Sequence, residues 1–215
     1  MAVITMSRQI GSGADEVANG LCEVLGLQLF EKGLIQQVAS ELGLGATEMV
    51  DYSEDDYKRA TFLDALFRRS RRVEEVLSTW HADEQPGIEA TRVLDEELAV
   101  DLTRTAIEAA CECGNVLIVG RGSQIVLEDR PGVLHLRLVA PIEQRLERLM
   151  KGQKMTPAQA RRFVTQRDSA TEEYLRRFYQ ADVNDPSLYH MVLNTGKLGI
   201  RGCVKVIEAA VEHLG

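Results

Sequence analysis

The residues Ala2–Val17, AVITMSRQIGSGADEV, decide the fold that the rest of the sequence must fit. An apolar run enters a Gly-x-Gly turn, and a helical pattern follows the turn directly. Glycines let the backbone approach an anion closely, and the start of a helix directs unpaired N–H groups and its positive dipole end at the same point. The stretch therefore predicts a buried strand, a turn that cradles phosphate and a helix, and it points to nucleotides.

One positive charge that phosphate loops usually carry is missing from this turn. The common pattern, G-x-x-x-x-G-K-[ST], places a lysine and then a hydroxyl residue after its last glycine, for the outer phosphates and Mg²⁺. Here Ala14 follows Gly13, and Asp15 and Glu16 come next. Carboxylates at a helix start are favourable by roughly 0.3–1 kcal/mol each, so a structural role for both stays open.

The same acidic pair also suggests a metal site. Without compensation, two carboxylates beside a triphosphate would weaken its binding. We expect Glu16 to bind Mg²⁺ directly, since hard oxygen ligands suit that ion. Arg8, or an arginine from farther along the chain, would then supply the charge of the absent lysine.

Apolar runs alternate with helical patterns along the rest of the chain. The predicted strands after the first are residues 27–30, 116–119, 133–139 and 189–193. Strands separated by helices imply an α/β fold whose parallel sheet is covered by helices on both faces. We expect strand 116–119 to be central, and the alternating pattern of 133–139 to leave one face of that strand less covered. Ligands bind at the carboxyl ends of such strands, where Gly11–Gly13 and Gly120–Ser123 would meet.

Composition limits the classes of partner. The chain has 215 residues, of which 45% are apolar, enough for one sizeable domain with an inserted lobe. Its formal net charge of −8 argues against a general nucleic-acid-binding role, because such domains are usually basic. No run reaches the ~18 apolar residues of a membrane span, and the start lacks a secretion-signal pattern, so we expect a cytoplasmic protein. The four cysteines lack metal-binding spacing, and we expect buried thiols.

Four stretches of the chain together carry a resemblance to one family. They are Ile4–Gly13, Leu29–Lys32, Val119–Gly122 and Tyr189–Thr195 with Leu198. The sequence resembles the cytidylate kinase-like proteins, a group of P-loop nucleoside monophosphate kinases. The resemblance implies one P-loop kinase domain over residues 1–215, with an inserted helical acceptor-binding lobe at about 31–110 and an arginine-bearing lid at about 152–180. It also implies ATP and Mg²⁺ as cofactors, and phosphoryl transfer to a nucleoside monophosphate such as CMP or dCMP.

The resemblance assigns residues to three parts of a kinase site. The expected ATP-binding residues are Ser7, Arg8, Gly11, Ser12, Gly13, Ala14, Asp15 and Glu16. The expected acceptor-binding residues are Glu31, Lys32, Gly120 and Arg121. The residues expected to stabilise the charge of the transferred phosphoryl group, the main demand of this chemistry, are Arg8, Arg121, Arg167 and Arg176.

Two patterns in the residues themselves agree with these roles. Arg121 follows a strand end beside a glycine, where a planar guanidinium grips a phosphate with two parallel hydrogen bonds. Between Arg161 and Arg177, five arginines stand against three acids in an otherwise acidic chain. Structural alternatives stay open for both: Arg121 would pair with a carboxylate, and the arginines would form a solvated helix face.

The sequence departs from the family pattern at two points. Relatives carry Gly-Ser-Gly-Gly and then a basic residue, whereas this chain has Ala14 and Asp15 after its last glycine. Relatives also carry Gly-Arg-Asp where this chain has Gly120-Arg121-Gly122, so an acid that helps to hold the acceptor is absent. Two alternatives therefore remain: a catalytically silent nucleotide-binding or regulatory protein, and a small-molecule kinase with a non-nucleotide acceptor.

Overall fold

A computed structural model describes residues Ala2–Phe30 and Glu96–Leu214. The chain divides into two compact units, Met1–Leu29 with Asn115–Gly215, and Phe30–Gly114. The candidate residues Glu31 and Lys32, and most of the inserted lobe expected at about 31–110, lie outside the described residues. The boundaries of the lobe and the lid stay predictions.

The described residues form the parallel α/β sheet that the sequence predicts. Its strands are β1 (Val3–Arg8), β2 (Gln28–Phe30), β3 (Val116–Val119), β4 (Val133–Val139) and β5 (Met191–Asn194). Their order is β2-β3-β1-β4-β5, and β1 pairs in parallel with both β3 and β4. The prediction of a central 116–119 strand is wrong, because β1 is central and β3 lies between β1 and β2. Strand β2 does not pair with β1, and β3, which comes later in the chain, lies between them.

Helices α1 (Ala14–Leu25) and α6 (Thr195–Glu212) bury one face of this sheet. The apolar side chains of β1 and β4 on that face meet Val17 and Leu21 of α1 and Cys203 and Ile207 of α6, all of them buried. Helix α1 ends at Gly26, because this residue adopts a left-handed φ of 65° that glycine tolerates best. The glycine turn before α1 is thereby fixed to a rigid sheet and helix.

Both faces of β4 are covered, so the prediction of a less covered face is wrong. His135 and Arg137 are only 4% and 5% exposed. The register with β1 sets His135 beside Thr5 and Arg137 beside Ser7. The Thr5 hydroxyl lies 2.7 Å from His135 Nδ1, and Arg137 donates to the Ser7 hydroxyl over 3.0 Å. Polar side chains are buried here because the neighbouring strand supplies their hydrogen-bond partners.

Four further helices lie within the described residues. They are α2 (Glu96–Cys113), α3 (Ser123–Val126), α4 (Ile142–Gln153) and α5 (Pro157–Tyr179). Pro141 precedes α4, and Thr156 caps α5 through a reciprocal hydrogen-bonded box with Gln159. Within the described ranges, no helix combines the length and apolar character that crossing a membrane requires.

The predicted last strand starts later than its apolar pattern. Tyr189 ends a 3₁₀ turn, Pro186–Leu188, and its hydroxyl donates to the carbonyl of Val183 over 2.9 Å. Strand β5 therefore begins at Met191, and Asn194 at its end caps α6. Of the four cysteines only Cys203 is buried, and the other three are partly exposed, so the prediction of buried thiols holds for Cys203 alone.

Candidate active site

The turn between β1 and α1 has a backbone that requires its two glycines. Gly11 and Gly13 have φ values of 72° and 79°, in the left-handed region that glycine adopts without strain. A Cβ atom placed on Gly11 would lie 2.8 Å from the carbonyl oxygen of Arg145. A Cβ atom on Gly13 would lie 2.6 Å from Ile200 Cδ1. Both positions are thus closed to side chains by backbone conformation and by space.

The start of α1 is left open toward this turn. Gly13 is the capping residue and has no side chain with which to satisfy the first N–H groups of the helix. The Ser12 hydroxyl is buried and has no hydrogen-bond partner, and the residue is 1% exposed. A buried hydroxyl without a partner is costly, and a ligand oxygen would relieve that cost. Helix end and hydroxyl together form a cradle for an anion.

A pocket of about 190 Å³ lies over this cradle and collects most of the predicted ATP-binding residues. Its lining includes Arg8 through Glu16 from the turn and Arg148, Leu149, Gly152 and Gln153 from α4. Ser7 does not line the pocket. Its side chain is buried at the end of β1, where it accepts the hydrogen bond from Arg137. Ser7 therefore contributes to the base of the turn.

Arg148 is the cation of this pocket that the sequence analysis missed. Its guanidinium donates to the carbonyl of Gly11 over 3.3 Å and to the Thr195 hydroxyl over 3.2 Å. Its Cζ lies 3.3 Å from the position that a Cβ on Gly13 would take. The sequence carries only a signal of chain order: α4 directly follows β4, whose carboxyl end lies at the edge where such sheets bind ligands, and this order does not single out Arg148 within the helix.

Arg8 and Asp15 form an ion pair at the edge of the pocket. The Arg8 side chain is 30% exposed and that of Asp15 is 74% exposed. The acid that follows the lysine position therefore engages the cation that was expected to replace lysine. Glu16 is exposed and lines the same pocket, so its carboxylate is free to approach a metal ion bound there.

The turn that follows β3 holds the predicted acceptor residues in a strained conformation. Gly120, Arg121 and Gly122 have successive φ values of 78°, 60° and 71°. Of these three residues only Arg121 has a side chain, which makes a positive φ energetically unfavourable. Backbone strain of this kind often marks functional sites. Among the described residues no carboxylate forms an ion pair with the Arg121 guanidinium, and the structural alternative for this residue stays open.

Gly122 lacks a side chain because an aromatic ring from α5 occupies the space. A Cβ atom on Gly122 would lie 2.7 Å from the ring of Tyr179, whose hydroxyl donates to the Arg121 carbonyl over 3.3 Å. Directly after this turn, Ser123 Oγ and Gln124 Nε2 are buried without hydrogen-bond partners. Neither residue is among the predicted site residues, yet both groups leave hydrogen-bonding capacity for a ligand.

The arginines of α5 do not line the phosphate pocket. Arg167 and Arg176 are exposed, and Arg167 lies over the ring of Phe163 at 5.2 Å. Arg161 and Arg162 line a separate shallow groove along the same helix. The structure therefore brings together the predicted ATP-binding residues around the pocket and leaves Arg167 and Arg176 apart from them.

The fold and the glycine turn define the class of protein. The structure is similar to an uncharacterized protein from Eubacterium ventriosum, with a TM-score of 0.68 and 15% sequence identity, covering 99% of each chain. It is also similar to shikimate kinase from Bacteroides thetaiotaomicron, with a TM-score of 0.50, 13% identity and 98% of each chain covered. At these identities the likeness shows the fold, which is that of the P-loop kinases.

The chain belongs to the cytidylate kinase-like family, whose sequence profile matches residues 3–197. It is 28% identical to a cytidylate kinase from Pyrococcus horikoshii over 213 residues, covering 99% of this chain and 89% of that protein. A cytidylate kinase from Methanocaldococcus jannaschii is 23% identical over 216 residues, with 99% of this chain and 98% of the relative covered. The protein is thus a phosphotransferase of the nucleotide-kinase type.

Proposed function

We propose that the protein transfers the γ-phosphoryl group of ATP to a nucleoside monophosphate, with CMP or dCMP as the expected acceptor and with Mg²⁺ as cofactor. The observation that carries this proposal is the cradle formed by Gly11, Ser12 and Gly13 at the open start of α1. Backbone N–H groups, a buried hydroxyl and a helix dipole all favour a phosphate at the same point. The cytidylate kinase relatives support the acceptor class.

The residues around the cradle fit ATP and its metal ion. Bound Mg²⁺ would neutralise charge on the outer phosphates, which lowers the barrier to phosphoryl transfer. Glu16 is the proposed metal ligand, because its carboxylate is exposed at the pocket and hard oxygen atoms suit this ion. Arg148 supplies the fixed positive charge that the loop itself lacks, with Arg8 as the second cation.

The acceptor would bind at the strained turn after β3. Arg121 is proposed to grip the acceptor phosphate, with Gly120 allowing its close approach and Glu31 and Lys32 contributing contacts to sugar or phosphate. Arg167 and Arg176 are proposed to approach the phosphates only when nucleotide is bound, since neither lines the pocket. No protein nucleophile is required, because alignment and charge neutralisation provide most of the catalysis.

The test is a coupled measurement of ADP release from Mg·ATP with CMP, dCMP, UMP, AMP or no acceptor. We expect release that depends on the acceptor and is fastest with CMP or dCMP. ADP release that is identical in every arm, blank included, would contradict an acceptor-dependent kinase. Calorimetric titration with ATP in parallel would show whether an inactive protein still binds the nucleotide.

The metal assignment has its own test. Glu16→Gln removes one negative charge and keeps the size of the side chain, so we expect a sharply higher Mg²⁺ concentration for half-maximal activity. Asp15→Asn is the matched control on the same helical turn. A Mg²⁺ requirement that rises with the Asp15 variant and not with the Glu16 variant would move the ligand to Asp15.

A second candidate function is favoured by one observation, the alanine at the lysine position. With Ala14 there and Asp15 paired to Arg8, the pocket would hold nucleotide without the usual cation for the outer phosphates. A catalytically silent nucleotide-binding protein would bind ATP in the calorimetric titration and release no ADP with any acceptor. Activity with a non-nucleotide acceptor would instead indicate a small-molecule kinase.

A further inference from the structure

A ring of contacts fastens one residue of the phosphate loop to two helices. Asp168, in the middle of α5, accepts a hydrogen bond from the Ile10 N–H over 3.3 Å through one carboxylate oxygen. Its other oxygen accepts from Arg145 Nη2 over 2.5 Å. Arg145, from α4, donates through Nε to the Ile10 carbonyl over 2.7 Å. Both backbone groups of Ile10 are therefore held by one ion pair.

The ion pair is in a position where it restrains its neighbours strongly. The Arg145 side chain is 5% exposed and that of Asp168 is 26% exposed, so solvent screens their attraction weakly. Ile10 directly precedes Gly11, whose left-handed conformation and contact with the Arg145 carbonyl shape the cradle. A shift of Ile10 would therefore move the N–H groups that face the phosphates.

The same helix contacts the acceptor turn at its other end. Tyr179, the last residue of α5, covers Gly122 with its ring and donates to the Arg121 carbonyl. Asp168 and Tyr179 are eleven residues apart, or about 16 Å along the helix axis. Helix α5 thus touches the donor loop with its middle and the acceptor turn with its end.

We propose that Asp168 is a positioning residue that holds the phosphate loop through Ile10, and that α5 sets the separation between the loop and the acceptor turn. The proposal deepens the proposed function and rests on it, since the two turns are taken as the donor and acceptor sites. Asp168 acts through the backbone of the loop and through Arg145, and contacts neither phosphate itself.

The experiment compares ATP affinity and amide exchange among four proteins: wild type, Asp168→Asn, Arg145→Lys and the double variant. We expect each single variant to weaken Mg·ATP binding by about 10-fold or more, because small displacements of a binding group cost this much. The double variant is expected to have an ATP affinity no lower than that of the single variant that binds less tightly, since the two residues act as one unit. The Ile10 amide should exchange with solvent faster in both Asp168→Asn and Arg145→Lys.

A matched control separates positioning from general destabilisation. Glu147→Gln breaks another acid–base pair, the exposed contact of Glu147 with Lys151 at 2.7 Å, on the same helix α4. This variant should bind ATP within about twofold of the wild type, because exposed pairs contribute little. Tyr179→Phe should raise the KM for the acceptor and leave ATP affinity unchanged, because it removes the hydrogen bond to the Arg121 carbonyl and keeps the ring against Gly122.

Two results would overturn the proposal, and they differ from failure of the proposed function. If a folded Asp168→Asn protein binds ATP with wild-type affinity, Asp168 has no positioning role. If Asp168→Asn does not fold, the ATP affinity of Arg145→Lys decides the question in the same way. A wild type that binds no ATP would defeat the proposed function. In that case the amide exchange still tests the contacts: an Ile10 amide that exchanges at the wild-type rate in Arg145→Lys would show that this ion pair does not hold Ile10.

Discussion

Single residues around the phosphate loop redistribute its charge. The loop motif carries no lysine, and the cations of the pocket come from the end of β1 and from α4, as Arg8 and Arg148. Asp15 and Glu16 place two carboxylates at the same edge. Positive and negative charges around the pocket are therefore closer to equal than in loops with a lysine. We expect nucleotide affinity to change when any one of these charges is removed.

Asp15→Asn tests this balance from the negative side. The variant releases Arg8 from its ion pair and removes one repelling charge, so we expect ATP to bind about 2- to 5-fold more tightly, the size of an exposed ion pair. Calorimetric titration of Mg·ATP at low salt measures the change, and the gain should shrink in high salt. Weaker binding of ATP by this variant would show that Asp15 assists the nucleotide.

Arg148→Met tests the balance from the positive side. Methionine preserves much of the length of the side chain and removes the charge, so we expect ATP affinity to fall by about 10- to 100-fold, as for a lost charge-assisted hydrogen bond. Arg148→Lys should recover part of the loss. Arg201→Met, at an exposed position of α6, is the control, and equal effects of both methionine variants would refute a specific role for Arg148.

The ends of individual helices could be predicted from local sequence, whereas few of the contacts between elements could be predicted. Gly26, Pro141 and Thr156 mark helix ends through interactions within a few residues, so their signals lie in the sequence itself. The contact of Arg148 with Gly11 joins residues far apart in the chain, and its side chain resembles any surface arginine in the sequence. Such contacts depend on how β4 and α4 pack beside β1, which no local pattern encodes.

The buried polar face of β4 makes stability depend on pH. Burial, and then the neighbouring His190, lower the pKa of His135 to about 4. In the unfolded chain this histidine binds a proton near pH 6.5, whereas the folded protein resists protonation until pH 4. The contribution of neutral His135 to the free energy of unfolding is therefore complete above pH 6.5. This contribution, up to about 3 kcal/mol, is lost as the pH falls toward 4.

Urea unfolding at pH 7.5, 5.5 and 4.5 measures this effect. The free energy of unfolding should fall between the first and last pH values, and His135→Gln should show a smaller fall, because glutamine does not titrate. The comparison with the variant isolates His135 from carboxyl groups that also titrate in acid. Parallel pH dependences in the two proteins would contradict the assignment.

At the scale of the whole molecule, alternating strands and helices were sufficient to predict a parallel α/β sheet, whereas the edge where its ligands are expected stays a prediction. They were not sufficient to predict strand order, because an apolar run such as 116–119 has the same character in any interior position of the sheet. The positions of β1 and β3 depend on the paths of the connections. The site itself follows from the carboxyl ends of β1 and β3, which adjoin in the sheet.

The proposed kinase activity requires the cradle at the start of α1 to hold the phosphates of ATP without a lysine in the loop. A crystal structure with Mg²⁺ and a non-hydrolysable ATP analogue would show whether it does. We expect a phosphate within hydrogen-bond distance of the loop N–H groups and Ser12 Oγ, with the Arg148 guanidinium beside it. A nucleotide whose phosphates lie elsewhere, with the cradle filled by side chains or solvent, would contradict the claim.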